Sequence, residues 1–289
     1  MEEKKTNLRE ADAKIFVEGL LAEKSLEVKT ENGKAKIAGY LTLKTSDVNF
    51  VRIGVNVNEK TKNGADNKCY TGMKTVMNEY KSISEVGEEE ADKLKVSGEI
   101  NLYRDKKGID TIGFKSNFFN RVKVGEEYTP RGEFRVETYI SNITPEVDKE
   151  GEKTGRMLVH GWVPTYNGIE PIKLVADEEI GRAIKNTFEI GETVEFYGDI
   201  INQRIETVTE IPVAIGKPRK KVTTEYKNAM LIHGASEAYE EGVTPEKPYE
   251  KETILAAIQE RKNRIEEEKT KTQSSKKPSG AAHGRSLGF

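Results

Sequence analysis

Cysteine is almost missing from this chain: Cys69 is the only one in 289 residues. A single thiol closes no internal disulfide, builds no cysteine-rich zinc site, and suits a reducing compartment. Histidine is scarce too. His160, His233 and His283 lie far apart in sequence, so no metal or triad constellation is spelled out. There is no Gly-x-Gly-x-x-Gly run and no Walker lysine loop. Carboxylates are plentiful but sit in charge runs or at exposed strand positions. The expectation is a non-enzymatic chain with no cofactor and no metal. No apolar run approaches the roughly 20 residues that span a bilayer. Met1-Glu2-Glu3-Lys4-Lys5 lacks the apolar stretch of a secretory signal. No membrane role is expected, and the expected location is the cytoplasm.

An excess of one charge is also lacking. Lys and Arg number 47 against 49 Asp and Glu, for a net charge of -2. A protein that is basic everywhere is thereby excluded, but a local basic groove is not. The charges are segregated: residues 85–92 hold four Glu and one Asp, and residues 237–252 are strongly acidic. Lys217-Pro218-Arg219-Lys220-Lys221 is compactly basic. Charged residues make up 33% and hydrophobic residues 35%, with a mean hydropathy of -0.69. That balance suits about two small domains with much surface rather than one large core.

What is present is a repeat. Gly33-Lys34-Ala35-Lys36-Ile37-Ala38-Gly39-Tyr40-Leu41 recurs as Gly155-Arg156-Met157-Leu158-Val159-His160-Gly161-Trp162-Val163. Val51-Arg52-Ile53 recurs as Ile172-Lys173-Leu174, and Val96-Ser97-Gly98-Glu99-Ile100 as Phe196-Tyr197-Gly198-Asp199-Ile200. Three matches in one order indicate a duplicated domain.

Periodicity fills in each copy. In the first, strands are expected at residues 16–29, 34–44, 49–57, 94–103 and 109–122, with a helix at 70–80 before the fourth strand. In the second, strands are expected at 133–144, 156–164, 171–176, 193–202 and 205–215, with a helix at 177–188 capped by Asp177. Three strands, a helix and two strands is the order of an OB-fold, a small five-stranded Greek-key barrel. The expected fold is all-β dominated: two tandem OB-fold barrels at 14–124 and 133–236, after a flexible arm at 1–13. A further strand is expected at 223–234 and an acidic connector and helix at 237–269. Residues 270–289 read as a disordered tail.

Single-strand binders need aromatic faces for bases and cations for the backbone. In an OB-fold these come from strands two and three and from the loops between strands one–two and four–five. The candidates there are Lys34, Lys36, Tyr40, Lys44, Phe50 and Arg52, then Tyr103, Arg104, Lys106 and Lys107. Strand five adds Lys115, Phe118 and Arg121, beside Phe114, Phe119 and Lys123. The second copy adds Arg156, Trp162, Tyr166 and Lys173, with His160 beside them. The basic run adds Lys217, Arg219 and Lys220, as phosphate contacts or as a solubilising loop. Trp162 stands where the repeat has Tyr40; both follow a glycine, and both could be core residues or stacking platforms. Of Phe118 and Phe119, a regular strand points one ring in and one out.

Lys95-Val96-Ser97-Gly98-Glu99-Ile100, Phe114 to Val122 and Leu231-Ile232-His233-Gly234-Ala235-Ser236-Glu237 together resemble bacteriophage-encoded single-stranded-DNA-binding proteins built from tandem OB-folds. The resemblance spans residues 14–269. It implies single-stranded DNA as partner, a role in replication or recombination, and host-cell cytoplasm. Replication or recombination proteins, met through the C-terminal region, are a further expected class of partner. The tail ends in Phe289 but carries Lys276, Lys277, His283 and Arg285, whereas cellular single-strand binders end in acid. Two other readings stay open: RNA binding, and a protein-interaction module using the barrels and the C-terminal helix.

Overall fold

A computed structural model describes residues 8–31, 33–211 and 219–274. The first three strands are β1 (Ala13–Glu31), β2 (Lys34–Lys44) and β3 (Phe50–Asn58). Helix α1 (Lys68–Glu79) and the single turn α2 (Ile83–Val86) follow, then β4 (Lys93–Arg104) and β5 (Asp110–Lys115). β1 pairs with both β2 and β4, β2 with β3, β4 with β5, and β3 with β5 in parallel. That order closes a five-stranded barrel with no free edge, the OB topology. Its inward positions, among them Val17, Leu21, Leu41, Leu43, Ile53 and Val96, are fully buried. α1 lays Tyr70, Met73 and Val76 on this core, and the Asn67 side chain accepts from the Cys69 N–H at its start.

Strand five is broken, where one strand over 109–122 was expected. The Ser116 side chain is buried; its hydroxyl donates to the Ser97 carbonyl at 2.6 Å and accepts from the Phe118 N–H. This turn throws Phe118 outward and turns Phe119 into the core. A short β6 (Phe119–Arg121) then pairs with the outer half of β4.

The second barrel repeats the plan with β7 (Arg131–Val147), β8 (Lys153–Thr165), β9 (Gly168–Ala176), α3 (Glu178–Thr187), β10 (Thr193–Ile211) and β11 (Arg219–Ala235). Asp177 caps α3 by accepting from the Ile180 N–H at 2.9 Å. Residues 205–211, expected within a fifth strand, instead prolong β10. The fifth strand is β11, expected as an extra strand; it pairs with β10 from Ile211↔Arg219 to Phe196↔Ala235 and with β9 at Leu231↔Val175. The β10–β11 hairpin therefore projects beyond the barrel as a long two-stranded arm. The barrels share one continuous sheet, because β1 pairs with β7 from Ala13↔Val136 to Glu18↔Arg131.

Register superposes the barrels residue by residue. Leu20 faces both Lys44 and Lys93; in the second barrel Tyr139 faces both Trp162 and Thr193. Two residues further on, each first strand has a register shift, between Leu21 and Glu23 and between Ile140 and Asn142. Such bulges bend a strand as it passes from one partner to another. Gly98 and Gly198 coincide, each against the fifth residue before that junction, Ile15 or Phe134. A Cβ on Gly198 would lie 1.9 Å from the Leu231 carbonyl oxygen, so only glycine fits. Arg52 and Lys173 also coincide, since Lys44↔Phe50 matches Trp162↔Pro171. The nine-residue match does not hold. Trp162 occupies the position of Lys44, and Tyr40 that of Leu158. Four residues is a whole number of strand periods, so the slipped match preserves the in–out pattern and goes unnoticed in sequence.

Helix α4 (Lys251–Ser274) lies on the second barrel. Ile254 and Ala257 are buried with Tyr139, Ile169 and Tyr249, and Leu8, Ala11 and Trp162 pack against this cluster. Below it the buried Glu137 carboxylate accepts from Arg9, the Asp12 N–H and the Tyr239 and Tyr249 hydroxyls. Burial and the Glu137 charge push both tyrosines far above their ordinary range. One buried carboxylate thus ties residues 9–12 and the acidic connector to the barrel.

Candidate nucleic-acid interface

Apart from a cavity at the β1–β7 seam lined by Phe16, Gly98, Arg135 and Tyr197, two grooves among the described residues run between the barrels. Each is made from the outer face of strands two and three of one barrel and the four–five hairpin of the other. The first groove encloses ≈ 900 Å³. Glu23, Thr42, Phe50 and Arg52 line it from the first barrel, and Asn202, Arg204, Glu206 and Tyr226 from the β10–β11 arm. Asn49 holds the arm in place. Its side-chain amide donates to the Ile200 carbonyl at 3.1 Å, and its side-chain oxygen accepts from the Asn202 N–H at 2.6 Å. The Arg204 N–H donates to the Val48 carbonyl at 2.9 Å. Asn49 is only 8% exposed, so this is a buried clamp with both halves of the amide satisfied. Arg204 and Tyr226 are directly opposed on the arm and share its groove side; Lys220 is on that side as well.

The second groove is smaller, ≈ 450 Å³. His160, Pro171 and Lys173 line it from the second barrel, at the registers of Thr42, Phe50 and Arg52. Asp110, Ile112 and Phe114 of β5 face them. Asp110 occupies the register of Tyr226, since Arg104↔Asp110 matches Arg204↔Tyr226. Both grooves meet at Asn202, which lines each of them.

The expected residues are dispersed. Phe50 and Arg52 are in the first groove, and Lys173 is in the second beside His160. Tyr40 lies next to the first groove, its ring 4.1 Å below the Arg52 guanidinium and its hydroxyl donating to Glu23 at 2.9 Å. It therefore holds Arg52 rather than offering an open face. Lys34, Tyr103, Lys106, Lys107, Phe118, Tyr166, Arg219 and Lys220 are exposed elsewhere on the surface, Phe118 at 61%. Others are held by acids. Lys44 is bound by Glu88 at 2.8 Å and by Asp47, contacts that hold its pKa above the ordinary lysine value. Lys36 pairs with Glu31, Arg104 with Asp110, Lys115 with Glu99 and Arg156 with Glu146. Arg121 pairs with Asp92 and lies 4.2 Å over the Tyr80 ring. Lys217 lies outside the described residues, as does the tail from residue 275 with Phe289.

Trp162 requires a correction. It is not an open stacking platform, because α4 covers it. Arg261 lies 6.0 Å over its ring while bonding to Glu170 at 2.8 Å and to Asp110 at 2.5 Å. Arg264 adds Glu170 at 3.3 Å and the Asn167 carbonyl at 2.8 Å. Ile254, Ala257 and Ile258 on the apolar side of α4, expected to be available to a partner, are spent on this contact, while Leu255 stays 54% exposed.

Asn49, Arg204 and Tyr226 were not singled out from sequence. Reading residues 205–215 as a separate strand hid the arm on which two of them sit. The available signal was the polar alternation running through both arm strands, which suits a ribbon outside a barrel.

His160 is held below its ordinary pKa, first by burial and then by Lys173 across the strand pair. Among the described residues no cluster of three or more His, Cys, Asp or Glu could hold a metal ion. Nor is any described helix long and apolar enough to cross a membrane.

Strand order, closure and paired bulges define a protein of two tandem OB-fold barrels. In sequence it matches the YorF family over residues 12–271, and the chain belongs to that family. No curated protein matches it. Among solved structures it resembles the wild-type single-stranded DNA binding protein from Thermus aquaticus, with a TM-score of 0.50 at 8% identity. The alignment covers 82% of this chain and 98% of that one. A deletion mutant of the same Thermus protein gives 0.50 at 10% identity, covering 83% and 100%. At such identities the likeness is one of fold.

Proposed function

We propose that this chain binds single-stranded DNA, without catalysing a reaction, in bacteriophage replication or recombination. The observation that carries this reading is the first groove, where Phe50, Tyr226, Arg52 and Arg204 converge between two OB barrels. Bases would stack on the rings, each contributing about 1–3 kcal/mol. Arg219 and Lys220, exposed near the arm tip, would meet phosphate. Two linked grooves would hold one strand through effective concentration, because the second contact needs no new encounter. The fold of the Thermus single-strand binder and the phage-type sequence resemblance point the same way.

The acids that pair with several cations set the expected salt response. Lys36, Lys44, Lys115 and Arg156 would release few counterions, so binding should weaken with salt less steeply than the count of basic residues suggests. A protein partner would find Ile254 and Ala257 of α4 already covered. The test is anisotropy of a labelled dT oligonucleotide of about 30 nucleotides, at two salt concentrations, with duplex and RNA competitors. Tight, salt-sensitive binding that duplex fails to compete is expected. No binding at low salt would overturn the reading, and preference for RNA would redirect it.

A further inference from the structure

From the arm's docking we infer that the first groove is a composite nucleobase site, completed by Tyr226 and Arg204 of the second barrel and set in place by Asn49. The inference rests on the single-strand reading above and goes beyond it: neither barrel alone carries the site.

The arm has no need to cross to the first barrel for closure of its own. β10 and β11 already close the second barrel through β7 and β9 by Leu231. The equivalent hairpin of the first barrel stops at Arg104↔Asp110, whereas this one continues to Ile211↔Arg219. A two-stranded ribbon is marginal alone, so its position depends on what it docks against. Here that is Asn49, which presents donor and acceptor to β10 much as a strand neighbour would. The ribbon brings Tyr226, 65% exposed, to the groove that also contains Phe50. Two aromatic faces and two guanidinium groups are what a base and its phosphate require.

The groove also orients the strand. Glu23 lies 4.0 Å from Arg52, and Glu206 lies 2.5 Å from Arg204. These carboxylates repel phosphate but accept a hydrogen bond from an N–H on a base edge, such as thymine N3–H. Bases therefore enter edge-first, with the backbone along the arm toward Lys220.

The test uses the full chain and a dT oligonucleotide of about 12 nucleotides. Tyr226→Ala is expected to weaken binding on the order of tenfold, and Tyr226→Phe to restore it, since the ring and not the hydroxyl stacks. Phe50→Ala should cost a similar factor. The double variant should lose clearly less than the product of the two, because both rings serve one base. Asn49→Ala should weaken binding while leaving the first barrel folded by circular dichroism. If Phe50→Ala weakens binding and Tyr226→Ala changes it less than twofold, the composite site is overturned and single-strand binding stands. If wild-type protein binds no single strand, the functional reading falls and takes this inference with it.

Discussion

At matching registers the first groove has Phe50, Arg52 and Tyr226, where the second has Pro171, Lys173 and Asp110. The backbones that hold these side chains share one barrel topology, a bulge in the first strand and a glycine opposite the fifth residue before the junction. Duplication thus supplied two barrels of one plan, which differ in side chains and in the length of the four–five hairpin. The first groove gathers aromatics. The second keeps a cation, Lys173, but has proline and aspartate where the rings would be. α4 is locked to the second side through Asp110 and Glu170, so that side is braced while the first stays open. A tandem repeat here does not mean two equal sites. It means one groove with Phe50 and Tyr226 on opposite sides of the cleft, and a second with Lys173 and His160, where only Phe114 of β5 supplies a phenyl ring.

Cutting the brace should produce the largest effect. Arg261 is 8% exposed, and its removal leaves Glu170, also 8% exposed, with Arg264 alone. Losing one partner of a buried ion pair costs about 3–5 kcal/mol; the partial exposure of Asp110 puts Arg261→Ala toward the lower end. Urea unfolding should register this as a lower midpoint. Trp162, the only tryptophan in the chain, should report it directly by emission at longer wavelength as the helix lifts. Binding at the first groove should remain. Unchanged Trp162 emission and an unchanged midpoint would show that α4 is not the brace.

A matched pair of substitutions tests the division itself. Phe50→Ala should weaken dT binding by about 1–3 kcal/mol, the worth of one stacked base. Pro171→Ala, at the same register of the other barrel, should change it by less than about twofold, because it removes no aromatic face. Equal losses from both would mean that the grooves are equivalent after all.

The contrast also shows what the sequence made legible. Strand alternation and the two Gly-centred matches exposed the duplication and the OB order, because inward positions such as Val96 and Phe196 must be apolar in any register. Arg52 and Lys173 were paired correctly for the same reason. Tyr40 and Trp162 were not, since a slip of four leaves alternation intact while moving each ring to a different neighbour. Trp162 could not be seen as covered, because α4 reaches it from about a hundred residues away in sequence. Polar alternation marks the arm that carries Arg204 and Tyr226, but where it lands, and that Asn49 receives it, is a matter of packing between barrels.

Whether a bound strand continues into the second groove should be readable from pH, with the smallest effect of all. His160 lines that groove, and burial together with Lys173 holds its pKa below the ordinary value. In the free protein this sets the sign of one stability contribution. A histidine depressed on folding adds stability above its unfolded pKa of about 6.5, and that stability is lost as pH falls through the folded value. A phosphate beside Lys173 would offset the repulsion and favour the imidazolium. Binding would then take up a proton, so affinity should rise as pH falls from 8 to 6. His160→Gln, which keeps a hydrogen-bonding group near Thr144, should flatten that rise without changing affinity at pH 8. The first groove contains no histidine, so a strand confined there would show the same pH profile in both proteins. Identical profiles would therefore end the path at the first groove.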